Sequence, residues 1–176
     1  MRAVSGKRWA AIGFGLAFLA VVGYFVVASV AVDDGASSPS SSGRLTVSRV
    51  GEALSPFDGL AVTRLAVGGE CKHLVVADTL AERVAGLRGR STAAPYDGMV
   101  FVFEAPTTTE FTMSGVTDRL DIGFYDGAGR PVSRTSMEPC AKAEDQCPAY
   151  RADGEFVFAV ETRPGALPSG ALTTCG

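Results

Sequence analysis

The chain of 176 residues holds one histidine, His73, and one tryptophan. It contains no Gly-x-Ser-x-Gly elbow, no Gly-Lys-Ser/Thr and no Cys-x-x-Cys. Serine hydrolysis needs a base beside its nucleophile, a phosphate cradle needs a glycine loop that ends in lysine, and a dithiol redox centre needs closely spaced cysteines. None of these is encoded. Cys-x6-Cys with a single distant histidine is not zinc-ligand spacing, so neither a metal nor a cofactor is expected. Basic excess is missing too. Residues 1–32 carry three bases and no acid, which leaves 13 Lys+Arg against 19 Asp+Glu over residues 33–176. A net of −6 there argues against a nucleic-acid partner, which requires a positive footprint.

Charge is also absent from Trp9 to Val32. As a helix these 24 residues span roughly 36 Å, enough to cross a hydrocarbon core of about 30 Å. Arg2, Lys7 and Arg8 precede the run, and Asp33 and Asp34 follow it. The positive-inside rule puts residues 1–8 in the cytoplasm, 9–32 across the membrane, and the rest outside. The alternative is a signal peptide cut near Ala31, because Ser29-Val30-Ala31 offers small residues; the run is longer than an ordinary signal core. Residues 33–43, DDGASSPSSSG, have the composition of a flexible tether.

Export makes the four cysteines readable as two disulfides, for which three connectivities exist. Cys140 and Cys147 bracket the polar loop AKAEDQ and suit a local staple. The second bridge then joins Cys71, at the start of a β-rich run, to the penultimate residue Cys175. Residues 44–70 read as lead-in strands, and 71–176 as the main domain. Thr79 and Glu82 form a capping-box pair at the head of a short helix over 79–88, with Leu80, Val84 and Leu87 on one face. Runs rich in Val, Phe, Ile and Tyr follow: GMVFVF (98–103), EFTM (110–113), LDIGFYD (120–126) and EFVFAV (155–160). Asp126-Gly127-Ala128-Gly129 is a hairpin signal. The pattern indicates a mainly β fold, a small β-sandwich or partly closed barrel with one short helix, preceded by a single transmembrane helix.

Asp121, Glu161 and Asp78 are the catalytic candidates, because each carboxylate stands within or at the end of an apolar run, where burial raises its pKa. Asp121 and Glu161 interrupt their runs and call for partners such as Arg83, Arg90 or Arg119. Phe111 and Met113 share a face at strand period and, with Arg83 and Arg90, form the candidate binding surface.

VADTLAERVAGLRGR (76–90), DGMVFVF (97–103), FTM (111–113), RLDIGFYDGAGR (119–130) and FAVE (158–161), in that order, resemble the domain-of-unknown-function 192 family across about 73–170. The segment from Pro139-Cys140 to Tyr150 is similar to that of exported members. The resemblance implies a small β-sandwich with a short helix, and brings no established activity. Arg88 stands where the family usually has Met. Thr112, Ser114, Gly115, Val116 and Arg119 replace the Trp, Lys, Asn, Thr and Pro of its polar stretch, while Phe111, Met113, Leu120 and Asp121 match. The expected function is a membrane-tethered, non-catalytic binding or accessory module of the cell envelope, with a glycan or protein as partner. The alternative is a carboxylate-based hydrolase or lyase acting on an envelope glycan.

Overall fold

The computed structural model describes residues 43–90 and 92–176. The apolar run at 9–32 lies outside the described residues, as does the 33–43 tether except for its last residue. Among the described residues no helix is long and apolar enough to cross a membrane.

The fold is mainly β. Among the described residues ten strands, β1 (Arg49–Glu52), β2 (Ala61–Val67), β3 (Glu70–Ala77), β4 (Gly98–Thr107), β5 (Phe111–Thr112), β6 (Leu120–Tyr125), β7 (Pro131–Met137), β8 (Ala149–Tyr150), β9 (Phe156–Thr162) and β10 (Leu172–Thr174), accompany one α-helix, α1 (Leu80–Ala85). Eight strands make one sheet in the order β1-β2-β3-β4-β9-β6-β7, with β10 sharing the outer edge of β2. β5 and β8 form a separate two-stranded ladder. The path does not close, so the strands form no closed barrel. The two ends of the path, β1 and β7, do not pair with each other. The lead-in region contributes β1 and β2 to this same sheet.

Alternation along the strands covers both faces of the sheet. Val75 and Ala77 of β3 join one apolar cluster, with Met99 and Phe101 of β4 and Ile122 and Phe124 of β6. Leu74, Val76, Val100 and Val160 join the other. β9 runs between β4 and β6 and is buried along its whole length, as expected for a strand with neighbours on both edges and cover on both faces.

Local chemistry sets the connections. Thr79 Oγ1 accepts from the Glu82 amide, and Glu82 Oε2 accepts from the Thr79 and Asp78 amides, so the capping box forms as the sequence indicates. The helix stops at Ala85, short of the expected 88, because Gly86 leaves helical geometry at φ 45°. In the β6–β7 hairpin, Asp126 Oδ1 accepts from the amides of Ala128 and Arg130. Cys71 is bonded to Cys175, with Cα atoms 5.7 Å apart, and Cys140 to Cys147, at 5.9 Å. The C-terminal tail is thus held twice, by its disulfide and by the β10–β2 ladder.

β4 enters the sheet through Gly98, which pairs with Thr162 of β9. A Cβ at Gly98 would lie 2.1 Å from the Glu161 carbonyl oxygen, an impossible approach to backbone. Gly98→Ala is therefore expected to cost at least about 2 kcal/mol, at the upper end of ordinary overpacking, because β4 and β9 must separate. Equilibrium urea unfolding checks this, and an unchanged midpoint contradicts it.

Candidate functional site

A cavity of about 330 Å³ lies between α1, with the turn after it, and the β4–β5 region. Its walls include Val84 and Leu87 on one side and Phe101, Phe103 and Phe111 on the other. The helix presents its apolar residues to this space rather than to a filled core. Leu80 is 73% exposed and Val84 60%, whereas Leu87, just past the helix, is buried. Leu80, Val84 and Leu87 thus share a face, as the spacing indicates, and that face lines the cavity. Phe111 stands edge-on to Phe101 and to Phe124, with ring centroids 5.1 and 5.7 Å apart, which fixes the aromatic wall.

Glu161 also lines this cavity and is only 5% exposed. It is opposite Met99 on β4 and Ile122 on β6, so fully buried apolar residues flank it on the same face. Among the described residues its carboxyl has neither a hydrogen-bond nor an ion-pair partner. Burial alone pushes its pKa up to about 8.

Arg83 crosses from α1 to the sheet. Its Nη1 donates to the carbonyls of Asp78 and Val102, and its guanidinium lies 4.8 Å from the Phe103 ring centroid. At the rim, Arg88 Nη2 pairs with Glu144 Oε2 at 2.9 Å, and Glu110 pairs with Arg151. Glu144 begins a 3₁₀ turn, Glu144–Gln146, inside the loop closed by Cys140 and Cys147. The disulfide therefore carries one of the rim charges.

The structure brings Glu161, Arg83 and Phe111 to one cavity and sends the other candidates elsewhere. Met113 is wholly buried in the core. Arg90 lies over Phe57, 4.7 Å from its centroid, and donates to the carbonyls of Pro56 and Gly86, a structural engagement. Asp121 pairs with Thr162 in register, one residue out of step with Glu161, and so occupies the opposite face of the sheet. Its two oxygens accept from Ser136 Oγ and the Gly165 amide. Asp78 pairs with Arg49 in a second, polar cleft. Asp121, Glu161 and Asp78 do not converge, so these three form no acid–base pair of the kind two-carboxylate chemistry requires. His73 stacks edge-on against Tyr96 rather than beside a nucleophile. Among the described residues no three His, Cys, Asp or Glu side chains meet as metal ligands. Phe103, Arg88 and Glu144 belong to the site but were not among the sequence candidates. Arg88, which departs from the family's Met, carried the one available signal.

The raised pKa of Glu161 has a defined sign. A carboxyl that holds its proton to about 8 when folded, against 4.5 when exposed, loses stabilisation as pH rises from 4.5 to 8. Glu161→Gln removes that loss. The variant is expected to gain on the wild type across this window by a few kcal/mol, at about 1.4 per pKa unit, with the gap constant above it. Chemical denaturation at acid and at mildly alkaline pH measures the gap, and an equal gap at both would contradict the assignment.

Residues 63–173 match the sequence model of the DUF192 family, described as Uncharacterized ACR. A crystal structure of a protein of unknown function from Novosphingobium aromaticivorans is similar, with TM-score 0.57 and 22% identity over 69% of this chain and 89% of that one. A candidate transcription regulator from Sinorhizobium meliloti gives TM-score 0.52 and 20% identity, over 74% of this chain and 95% of that one. At these identities the likeness is one of fold. Comparison with curated proteins finds no match. With the family pattern spanning β2 through β10 and the fold shared with these structures, the chain belongs to the DUF192 family.

Proposed function

We propose that this protein is a non-catalytic binding module of the cell envelope, anchored by residues 9–32, with the cavity beside α1 as its ligand site. The observation that carries the reading is Glu161: a carboxyl on a buried residue, without a partner among the described residues, placed in the wall of an open cavity whose lining includes Phe101, Phe103 and Phe111. Among the described residues no side-chain N or O atom is both buried and unpaired, so the Glu161 oxygens reach the open cavity, where a ligand can hydrogen-bond them directly. The volume of about 330 Å³ suits a compact molecule rather than a long glycan or a protein face. The uncharged run, the bases before it and the two disulfides support placement outside the membrane. The acidic balance of residues 33–176 speaks against nucleic-acid binding by this chain.

Screening small aromatic and aliphatic compounds by protein-observed NMR tests the site. Shift changes are expected at Phe101, Phe103, Phe111 and Val84. Val84→Trp, which fills the cavity from its exposed wall, is expected to abolish them while altering stability by no more than about 0.5 kcal/mol. Binding that persists in this variant contradicts the reading. For the topology, protease added to intact spheroplasts is expected to release the domain by cutting within 33–43. A fully protected chain contradicts the external placement.

A further inference from the structure

Among the described residues five charged side chains line the cavity: Arg83, Arg88, Glu110, Glu144 and Glu161. Three of them are already neutralised, since Arg88 pairs with Glu144 and Glu110 with Arg151. One base and one acid remain. Among the described residues, Arg83 has no carboxylate partner; Nη1 serves two carbonyls, and Nε and Nη2 have no acceptor. Glu161 has no partner either, and the two line one cavity without pairing with each other.

From this juxtaposition we infer that the ligand is a compact zwitterion with an apolar body, its ammonium group on Glu161 and its carboxylate on Arg83. The inference rests on the cavity being a ligand site. A purely anionic ligand would satisfy Arg83 and leave Glu161 orphaned, and a purely cationic one would do the reverse. Either omission leaves one of the two cavity-lining groups unmatched. The guanidinium presents free N–H donors to a carboxylate, and the carboxylate of Glu161 accepts an ammonium hydrogen bond. Phe101 and Phe111 receive the apolar body, and their rings also favour a nearby cation. A metal ion is a poor occupant, because one carboxylate does not supply its coordination shell.

The inference carries a pH signature. Facing Glu161 are uncharged Met99 and Phe101 from β4 and Ile122 from β6. The charged groups around the cavity are Arg83 and Arg88 on the helix side, Glu110 on the β4–β5 connection, and Glu144 on the disulfide loop. The last three are in ion pairs. Burial keeps Glu161 protonated near neutrality, so seating an ammonium group displaces its proton. Affinity for a zwitterion therefore rises as pH approaches about 8.

The full-length chain in lipid nanodiscs, with empty nanodiscs as reference, is titrated calorimetrically. The probes are L-phenylalanine and 4-(aminomethyl)benzoate as zwitterions, phenethylamine as cation, 3-phenylpropionate as anion and 3-phenylpropanol as neutral body. At least one zwitterion is expected to bind at least ~tenfold more tightly than the cation, the anion and the alcohol, a difference of one decade in Kd. Glu161→Gln and Arg83→Met are each expected to erase that preference, and binding to the wild type is expected to strengthen between pH 6 and 8, the latter near the raised Glu161 pKa. If the cation, the anion or the alcohol binds as tightly as both zwitterions, the zwitterion inference is overturned while the cavity remains a binding site. If no probe binds the wild type, the reading of the cavity as a site for compact apolar ligands falls with it. The probe series needs only the wild-type protein, so the result stands even if a variant fails to fold.

Discussion

Everything in this domain hangs on the close approach of β4 and β9. Gly98 lets the strands meet where any side chain would strike the Glu161 carbonyl. From that point β9 is committed on both edges, to β4 on one side and β6 on the other. β4 in turn pairs in parallel with β3, and the chain between them must cross from one end of the sheet to the other, which is where α1 lies. The hydrophobic effect rewards this arrangement on both faces, since residues of alternate parity along β3 and β4 enter separate apolar clusters.

The same constraint creates the site. A six-residue helix is too short to persist alone, and α1 has no buried residue of its own. It is held by its capping box and by Arg83, which ties the helix to the carbonyls of Asp78 and Val102. These are polar attachments at its ends and side. Its apolar residues consequently face an open space instead of a packed layer, and the acid that β9 sends to that face meets a cavity rather than a counter-charge.

What was legible in the sequence was what is decided within a few residues. The Thr79–Glu82 box, the Asp126 hairpin and the Cys140–Cys147 loop each depend on groups close in the chain. The Cys71–Cys175 bridge followed once the local pair was set aside, and the family pattern was readable from motif order. Asp121 and Glu161, by contrast, looked alike: each is an acid within an apolar run. Their different fates come from register, which places Asp121 opposite Thr162 and Glu161 opposite Ile122. Register is a property of the paired strands and of the bulge between Val102 and Thr107, neither of which periodicity reveals. The cavity was illegible for a related reason. Leu80, Val84 and Leu87 have the spacing of a packing face, and spacing is silent about whether the facing volume is filled.

The Cys140–Cys147 loop sits at the margin of this architecture, in contact with the Ser114 segment through a single bridge and a hydrogen bond from Ser114 Oγ to the Lys142 carbonyl. It contributes Glu144 to the cavity's mouth but no strand to the main sheet. Sequence change in that loop is thus decoupled from the β4–β9 ladder. The charge at the mouth can be rewritten over evolutionary time, by substitutions between two fixed cysteines, without reopening the question of how the domain folds.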